Sequence, residues 1–180
     1  IYITKKRLVS YQPFLQILIE MKARILMVVA SLLLLLLFIF PIWSIKLDAP
    51  QYPEGIKMYI WINDINGKSS FSAQEDELSI HTIENINLLN HYIGMKHIHA
   101  ENFWEFKAFP WVIGSLLVLG LLIAFAGKRI LYFAWAALMG VAGVLGMYDF
   151  YKWEYDYGHN LSDTAQIKIP GMAYQPPFFG

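Results

Sequence analysis

The stretch Ile25-Leu-Met-Val-Val-Ala-Ser-Leu-Leu-Leu-Leu-Leu-Leu-Phe-Ile-Phe-Pro-Ile-Trp-Ser-Ile45 runs for 21 residues without a charged side chain. A helix needs about 20 apolar residues to cross a hydrocarbon core of roughly 30 Å. Uncharged stretches of similar length follow at residues 108–127 and 130–148. A buried soluble helix would explain any one of them, but three in a chain of 180 residues favour a membrane protein. The sequence therefore predicts a mainly α membrane protein with transmembrane helices at 25–45, 108–127 and 130–148.

The first apolar stretch has the basic lead of a signal peptide, Lys22 and Arg24. Pro41 and Lys46 follow it without a cleavage site of small residues, so an uncleaved signal anchor is the better interpretation. Met21 has the context of an initiator, which leaves two interpretations of residues 1–20: an upstream extension or an ordinary cytoplasmic tail.

Charge orients the predicted helices. If the N-terminus is cytoplasmic, the inside holds residues 1–24 and the short 128–129 turn, with seven basic residues and one acidic. The remaining seven basic and 13 acidic residues lie outside, in segments 46–107 and 149–180. Short cytoplasmic loops retain Lys and Arg, so the Lys128–Arg129 turn favours this orientation. A net charge of zero thus divides into +6 inside and −6 outside.

The two outer segments are expected to pack into one small mixed α/β head, because neither is large enough to form a core alone. Met58, Ile60 and Ile62 alternate with polar and aromatic residues, which predicts a strand over 57–65. Further predictions are a hairpin turn at Asn66-Gly67, a return strand at 68–72, and a helix over 83–92 with Thr82 as N-cap and Gly94 as stop. Its predicted polar face holds Glu84, Asn87 and His91.

Composition excludes several classes of function. The chain has no Cys, which rules out disulfides, thiolate zinc sites and iron–sulfur clusters. A neutral net charge argues against a nucleic-acid partner. The sequence has no phosphate loop, nucleophile elbow or HExxH, so we expect no enzymatic activity. Glycines in the second and third apolar stretches indicate close helix packing rather than a pore: Gly114, Gly120, Gly140, Gly143 and Gly146.

All five histidines lie outside on this topology. Where Cys is absent, imidazole and thioether are the remaining soft ligands, and they suit copper better than magnesium or calcium. The candidate copper ligands are His91, Met95, His97, His99, His159 and Met172. The spacing matches no strict metal motif, so surface histidines and packing methionines remain the alternative. Acidic residues after the third stretch (Asp149, Glu154, Asp156) allow an acid–base pair or a quinol-handling site, but interfacial hydrogen bonding is the simpler interpretation.

Four motifs carry a resemblance to a known family. They are Ala49-Pro-Gln-Tyr-Pro-Glu-Gly55, Ile86-Asn-Leu-Leu-Asn-His-Tyr-Ile-Gly-Met95, Tyr148-Asp-Phe-Tyr-Lys-Trp-Glu-Tyr-Asp-Tyr-Gly-His-Asn160 and Pro170-Gly-Met-Ala-Tyr-Gln-Pro-Pro177. From Met21 onward the chain resembles an uncharacterised family of integral membrane proteins of Bacteroidetes type. That family is associated with gene clusters for nitrous oxide reductase, beside a copper chaperone and a maturation transporter. Its members continue past the last motif into another apolar segment, which Phe178-Phe179 would begin.

The resemblance implies an accessory protein of the bacterial inner membrane that helps supply copper to, or assemble, a periplasmic nitrous oxide reductase. Its expected partners are the lipid bilayer and a periplasmic copper protein or chaperone. The alternative is a non-catalytic anchoring or interaction subunit of a membrane complex, which the dense Tyr and Trp content of the outer segments would suit.

Overall fold

The computed structural model describes residues 2–68, 81–167, 169 and 171–175. Three long helices account for most of this chain, and a small sheet and one short helix lie between the first two. The elements in chain order are α1 (Tyr2–Leu33), β1 (Trp43–Ala49), β2 (Tyr52–Ile60), β3 (Ile65–Asn66), α2 (Thr82–Ile93), α3 (Glu105–Ala126) and α4 (Arg129–His159). Short 3₁₀ segments lie at Leu34–Phe38 and Ala100–Asn102. The predicted combination of long apolar helices with a small mixed α/β part is confirmed.

Three helices are long and apolar enough to cross a membrane: Ile17–Phe38, Glu105–Ala126 and Arg129–His159. Large apolar side chains on them remain open to the surroundings, with Phe125 82% and Ile130 71% exposed. Such exposure is costly in water and natural in lipid. The helices therefore have both the length and the apolar surface of transmembrane segments.

The boundaries of the first and third apolar segments differ from the prediction. Helical backbone ends at Phe38, and Trp43 already begins β1, so residues 39–45 are not part of a transmembrane helix. Pro41 explains the stop, because its ring lacks an N–H and disfavours helical backbone at the residue before it. The third helix continues to His159 instead of ending at residue 148. Its uncharged segment, residues 130–148, is long enough to span, and the charged residues from Asp149 onward lie outside that segment.

Backbone contacts divide the chain into two units. We call Ile1–Leu36 with Val112–Gly140 the helical unit, and Leu37–Trp111 with Val141–Gly180 the head unit. In the helical unit, the three helices meet at Gly120. A Cβ placed on Gly120 would overlap the buried Ser31 Oγ and lie 3.0 Å from Trp135 Nε1. Ser31 Oγ donates to the Met27 carbonyl at 2.8 Å, and Trp135 Nε1 donates to the Leu116 carbonyl at 3.0 Å.

The glycine prediction is confirmed only at Gly120. At the other four positions, a Cβ would meet nothing within 4 Å among the described residues: Gly114, Gly140, Gly143 and Gly146. Among these five glycines, close helix packing is therefore seen at one position and not along a glycine-lined face.

The head unit is built on an antiparallel sheet in the order β1-β2-β3. Trp43 pairs with Ile60 and Leu47 with Ile56, while Ile60 also pairs with Ile65 of β3. The core cluster consists of Ile56, Met58, Ile60, Ile65, Ile86, Ile98 and Tyr157. Strand, α2 and α4 residues thus share one core, and the predicted inward face of Met58, Ile60 and Ile62 is confirmed by their burial.

The hairpin turn lies four residues earlier than predicted, with residues 62–63 at its centre instead of Asn66-Gly67. The Trp61 N–H donates to the Asp64 carbonyl at 2.8 Å, and Asp64 Oδ1 accepts the Ile65 N–H at 2.8 Å. Ile62 lies within this turn and is buried, at 3% exposed. Asn66 is therefore the last residue of β3, and the predicted return strand at 68–72 is not seen at Lys68; residues 69–72 lie outside the described residues.

The short helix agrees with the prediction at its C-terminus. Gly94 has a left-handed backbone (φ 81°) and its N–H bonds to the Asn90 carbonyl, so the glycine stop is confirmed. The N-cap position is His81 rather than Thr82, and Thr82 is the first helical residue, buried in the head unit.

We predict that Gly120→Ala destabilises the helical unit by about 1–3 kcal/mol, the usual cost of overpacking, because Ser31 is buried and bonded and cannot move aside. Gly114→Ala is the matched control on the same helix. It should be neutral, or stabilising by up to about 1 kcal/mol, because alanine favours a helix. Thermal unfolding in detergent measures both, and equal effects of the two substitutions would contradict this packing.

Candidate functional site

Asn87 fixes the segment that carries His97 and His99. Its side-chain Nδ2 donates to the Ile98 carbonyl at 2.9 Å, and its Oδ1 accepts the Ile98 N–H at 2.6 Å. Asn87 belongs to the predicted polar face of α2 but is 8% exposed, so this member of the face is buried. A buried asparagine satisfies a backbone donor and acceptor as a neighbouring strand would. Ile98 therefore points into the core while the residues on either side of it point outward.

Three imidazoles form a row on the surface of the head unit. The His91 and His97 ring centres are 6.3 Å apart, and those of His97 and His99 are 6.1 Å apart. All three residues are exposed. The extended backbone at Lys96–His99 places His97 and His99 on one side, as alternation predicts, and the last turn of α2 adds His91. His97 is the central member of what we call the histidine row.

The other predicted ligands lie elsewhere in the head unit. Met95 packs against the core cluster. His159 lies at the end of α4, where its ring stacks on Tyr155 at 3.9 Å and its Nδ1 hydrogen-bonds the Tyr155 carbonyl. Met172 is 46% exposed, beyond a turn that closes from its N–H to the Ile169 carbonyl. The described residues contain no group of three or more His, Asp or Glu side chains placed to hold a metal ion.

An ion pair joins the histidine-bearing segment to α4. Lys96 Nζ lies 2.5 Å from Asp156 Oδ2, and Asn160 also bonds the Asp156 carboxylate. The Lys96 ammonium is the main reason that the pKa of Asp156 is lowered from its usual value. Both side chains are partly exposed, so the pair orients the segment more than it stabilises the fold.

Glu154 is the most unusual ionisable group in the head unit. It is 2% exposed, and neither carboxylate oxygen has a hydrogen-bond partner among the described residues. Burial raises the pKa of Glu154, because the charged form loses its hydration without gaining a partner. The side chain lines a cavity of about 780 Å³. We call this space the Glu154 cavity.

The walls of the Glu154 cavity are mostly apolar and aromatic. Trp153 and Tyr157 flank Glu154, with ring centres 5.0 Å apart, and Tyr52 and Met95 belong to the same lining. No Lys, Arg or His occurs among its described lining residues. A carboxylate there would have no counter-ion. A second space of about 420 Å³ lies beside Asp149 and Phe106.

Sequence reasoning named Glu154 only as one of several acidic residues near the third apolar stretch. One signal was available: Trp153 and Tyr157 are four residues apart and would share a helix face, with Glu154 next to it. The predicted helix ends at residue 148, so the sequence prediction applies no helix periodicity to the outer segment 149–180.

Comparison with protein-family models, with curated proteins and with solved structures gives no match to this chain. The chemistry of the site is therefore argued from its own residues.

We predict that the free energy of unfolding of Glu154→Gln, measured against that of the unsubstituted protein, is higher at pH 8 than at pH 5. In the unfolded chain Glu154 ionises near pH 4.5, whereas the folded chain keeps it protonated to higher pH. The folded state then binds more protons, so its free energy of unfolding falls by about 1.4 kcal/mol per pH unit from pH 4.5 up to the folded pKa. Glutamine removes that loss.

The measurement is thermal unfolding in detergent at several pH values, with the exposed Glu101→Gln as control. Of the other ionisable groups that line the cavity, Tyr157 has its pKa raised by burial, further above this window, and Asp48 pairs with Lys46 at 2.9 Å. Asp156 has a lowered pKa, so its contribution is lost only as the pH falls below about 3.8. An unchanged pH dependence in Glu154→Gln would contradict the buried, neutral carboxyl.

Proposed function

We propose that the chain is a multi-pass protein of the bacterial plasma membrane, with its N-terminus in the cytoplasm and its head unit outside. The support comes from the helical unit. The Arg24 guanidinium of α1 approaches Gly127 so closely that a Cβ there would overlap it, so Arg24 lies beside the Lys128–Arg129 turn. Three basic residues therefore gather at one end of the helical unit, and an excess of Lys and Arg favours a cytoplasmic location for that end.

The absence of Cys makes this orientation directly testable. Single substitutions Glu101→Cys in the head and Lys128→Cys in the turn place one exposed thiol at each expected side. A membrane-impermeant maleimide should label Glu101→Cys in intact spheroplasts, and Lys128→Cys only after permeabilisation; Arg129 keeps the turn positive. Labelling of Lys128→Cys in intact spheroplasts would reverse the topology.

We further propose that the protein is an accessory factor that takes up copper on the histidine row and helps supply or assemble a periplasmic nitrous oxide reductase. The observation that supports copper uptake is the spacing of His97 from His91 and from His99, 6.3 and 6.1 Å between ring centres. A metal ion about 2 Å from one nitrogen of each of two imidazoles holds their ring centres at most roughly 6.3 Å apart. Each pair is therefore at the outer limit of two-coordinate binding.

The chemistry of the row suits a transferable ion. Two neutral imidazoles satisfy the ligand preference of copper, and exposed side chains allow a partner protein to approach and exchange ligands. The Asn87 clamp on Ile98 holds the backbone between His97 and His99, so their rings need only rotate about their side-chain bonds. The reductase as recipient follows from the family resemblance alone.

We predict that the purified protein binds one copper ion and that His97→Ala weakens the binding at least tenfold, because His97 belongs to both neighbouring pairs. The matched control is His81→Ala, which removes an exposed histidine that pairs with Glu84 at 2.7 Å at the other end of α2. His159→Ala should also leave the affinity unchanged. Titration against a competing copper chelator measures all three.

Two results would contradict copper uptake: the absence of stoichiometric binding, or equal loss in His97→Ala and His81→Ala. A role as an anchoring or interaction subunit is the second candidate. It is favoured by an exposed aromatic face along the end of α4, where Tyr148 is 65% and Tyr155 49% exposed. A stoichiometric partner recovered in mild detergent, together with no copper binding, would support that role instead.

A further inference from the structure

We propose that the Glu154 cavity is a binding site for an uncharged ring compound that bears a carbonyl group, and that the carbonyl oxygen accepts a hydrogen bond from the Glu154 carboxyl. This site is separate from the histidine row and goes beyond the copper proposal.

The Glu154 carboxyl is buried without a hydrogen-bond partner among the described residues. A buried polar group without a partner typically costs about 1–3 kcal/mol, and native proteins rarely leave one unsatisfied. Both oxygens of Glu154 are in that position, although its side chain is 2% exposed. Among the described residues none bonds the Glu154 carboxyl, and Lys96 and Lys46 are engaged with Asp156 and Asp48. A bound ligand would supply the partner that the described residues do not.

The space beside the Glu154 carboxyl has the size of a small-molecule site. The cavity of about 780 Å³ falls within the range of roughly 300–1,000 Å³ that small-molecule sites occupy. Such sites combine apolar walls with a few polar groups that fix orientation. Here Ile45, Leu47 and Ile86 belong to the apolar lining, and Glu154 is the buried ionisable acid among the described lining residues.

The lining of the cavity favours a ligand that is uncharged and planar. A cation would lose its hydration among apolar walls and find a single buried carboxylate for its several N–H donors, which is unfavourable. A neutral acid can instead donate one O–H, and a carbonyl oxygen accepts it. Tyr52, Trp153 and Tyr157 supply aromatic faces on which a planar ring packs better than a single acyl chain.

Four probes separate these possibilities. Menadione carries two carbonyls on a methylnaphthalene ring, and 2-methylnaphthalene is the same ring without them. 1-Naphthylmethylamine is the cationic analogue, and methyl palmitate presents a carbonyl on an acyl chain. The full chain in detergent is titrated with each, and the apparent affinity is taken from the rise in unfolding temperature with ligand concentration.

We expect menadione to stabilise the protein, and Glu154→Leu to weaken its apparent affinity about tenfold, the value of one neutral hydrogen bond. The same variant should bind 2-methylnaphthalene at least as well as the unsubstituted protein. Glu154→Gln keeps a donor of similar size and should stay within roughly threefold. Asp149→Leu is the control: it also replaces an acidic residue of the same helix with leucine, but beside the smaller space.

The comparison between variants cancels the partition of each probe into micelles, because every variant sees the same micelle. The proposal is overturned if no probe binds, if menadione and 2-methylnaphthalene lose affinity equally in Glu154→Leu, or if Asp149→Leu has the same effect. Stronger stabilisation by 1-naphthylmethylamine or by methyl palmitate than by menadione would also overturn it, in favour of a cation site or a lipid chain. Copper binding should be unchanged in Glu154→Leu, so failure of one proposal is distinct from failure of the other.

Discussion

The head unit depends on the packing of the last turns of α4 against the sheet and α2. Tyr157 enters the same core as Ile56 of β2 and Ile86 of α2, and Phe103 lies across its ring at 5.9 Å. A three-stranded sheet with one short helix buries too little apolar surface to be stable alone. The core-facing aromatic side chains of α4, Trp153 and Tyr157, supply the additional apolar surface. The same packing fixes the backbone of Trp153 and Glu154, and therefore the wall of the cavity.

Hydrophobic periodicity and local helix-stop residues predicted much of this fold. The apolar stretches have the length and composition of the long helices, the alternation at Met58 and Ile60 assigns the buried face of β2, and Gly94 ends α2 through its left-handed backbone. These features depend on neighbours within a few residues. Sequence reasoning failed where a competing local signal existed: Asn66-Gly67 is a strong hairpin signal, but the chain already turns at residues 61–64, where Asp64 Oδ1 accepts the Ile65 N–H.

The site features that escaped prediction all depend on partners distant in sequence. Asn87 is polar and lies on a helix, so its burial is intelligible only once Ile98, 11 residues later, is seen to use both ends of its amide. Lys96 and Asp156 are 60 residues apart and pair across the head unit. Glu154 is buried because three separate segments pack around α4. Histidines, in contrast, were identified from residue type alone, because exposed imidazoles need no distant partner.

This difference in environment also determines how much each group says about function. An exposed histidine carries little energetic penalty, so three of them in a row are compatible with folding whether or not they bind a metal. A buried carboxyl without a partner lowers stability by about 1–3 kcal/mol, a substantial share of the 5–15 kcal/mol that holds a typical domain together. Leucine at position 154 would keep most of the volume and would leave no polar group without a partner. The geometry of Glu154 is therefore better explained by the proposed ligand, which accepts its O–H, than by a contribution to stability, whereas the histidine row has a functional meaning only under the proposal that it binds copper.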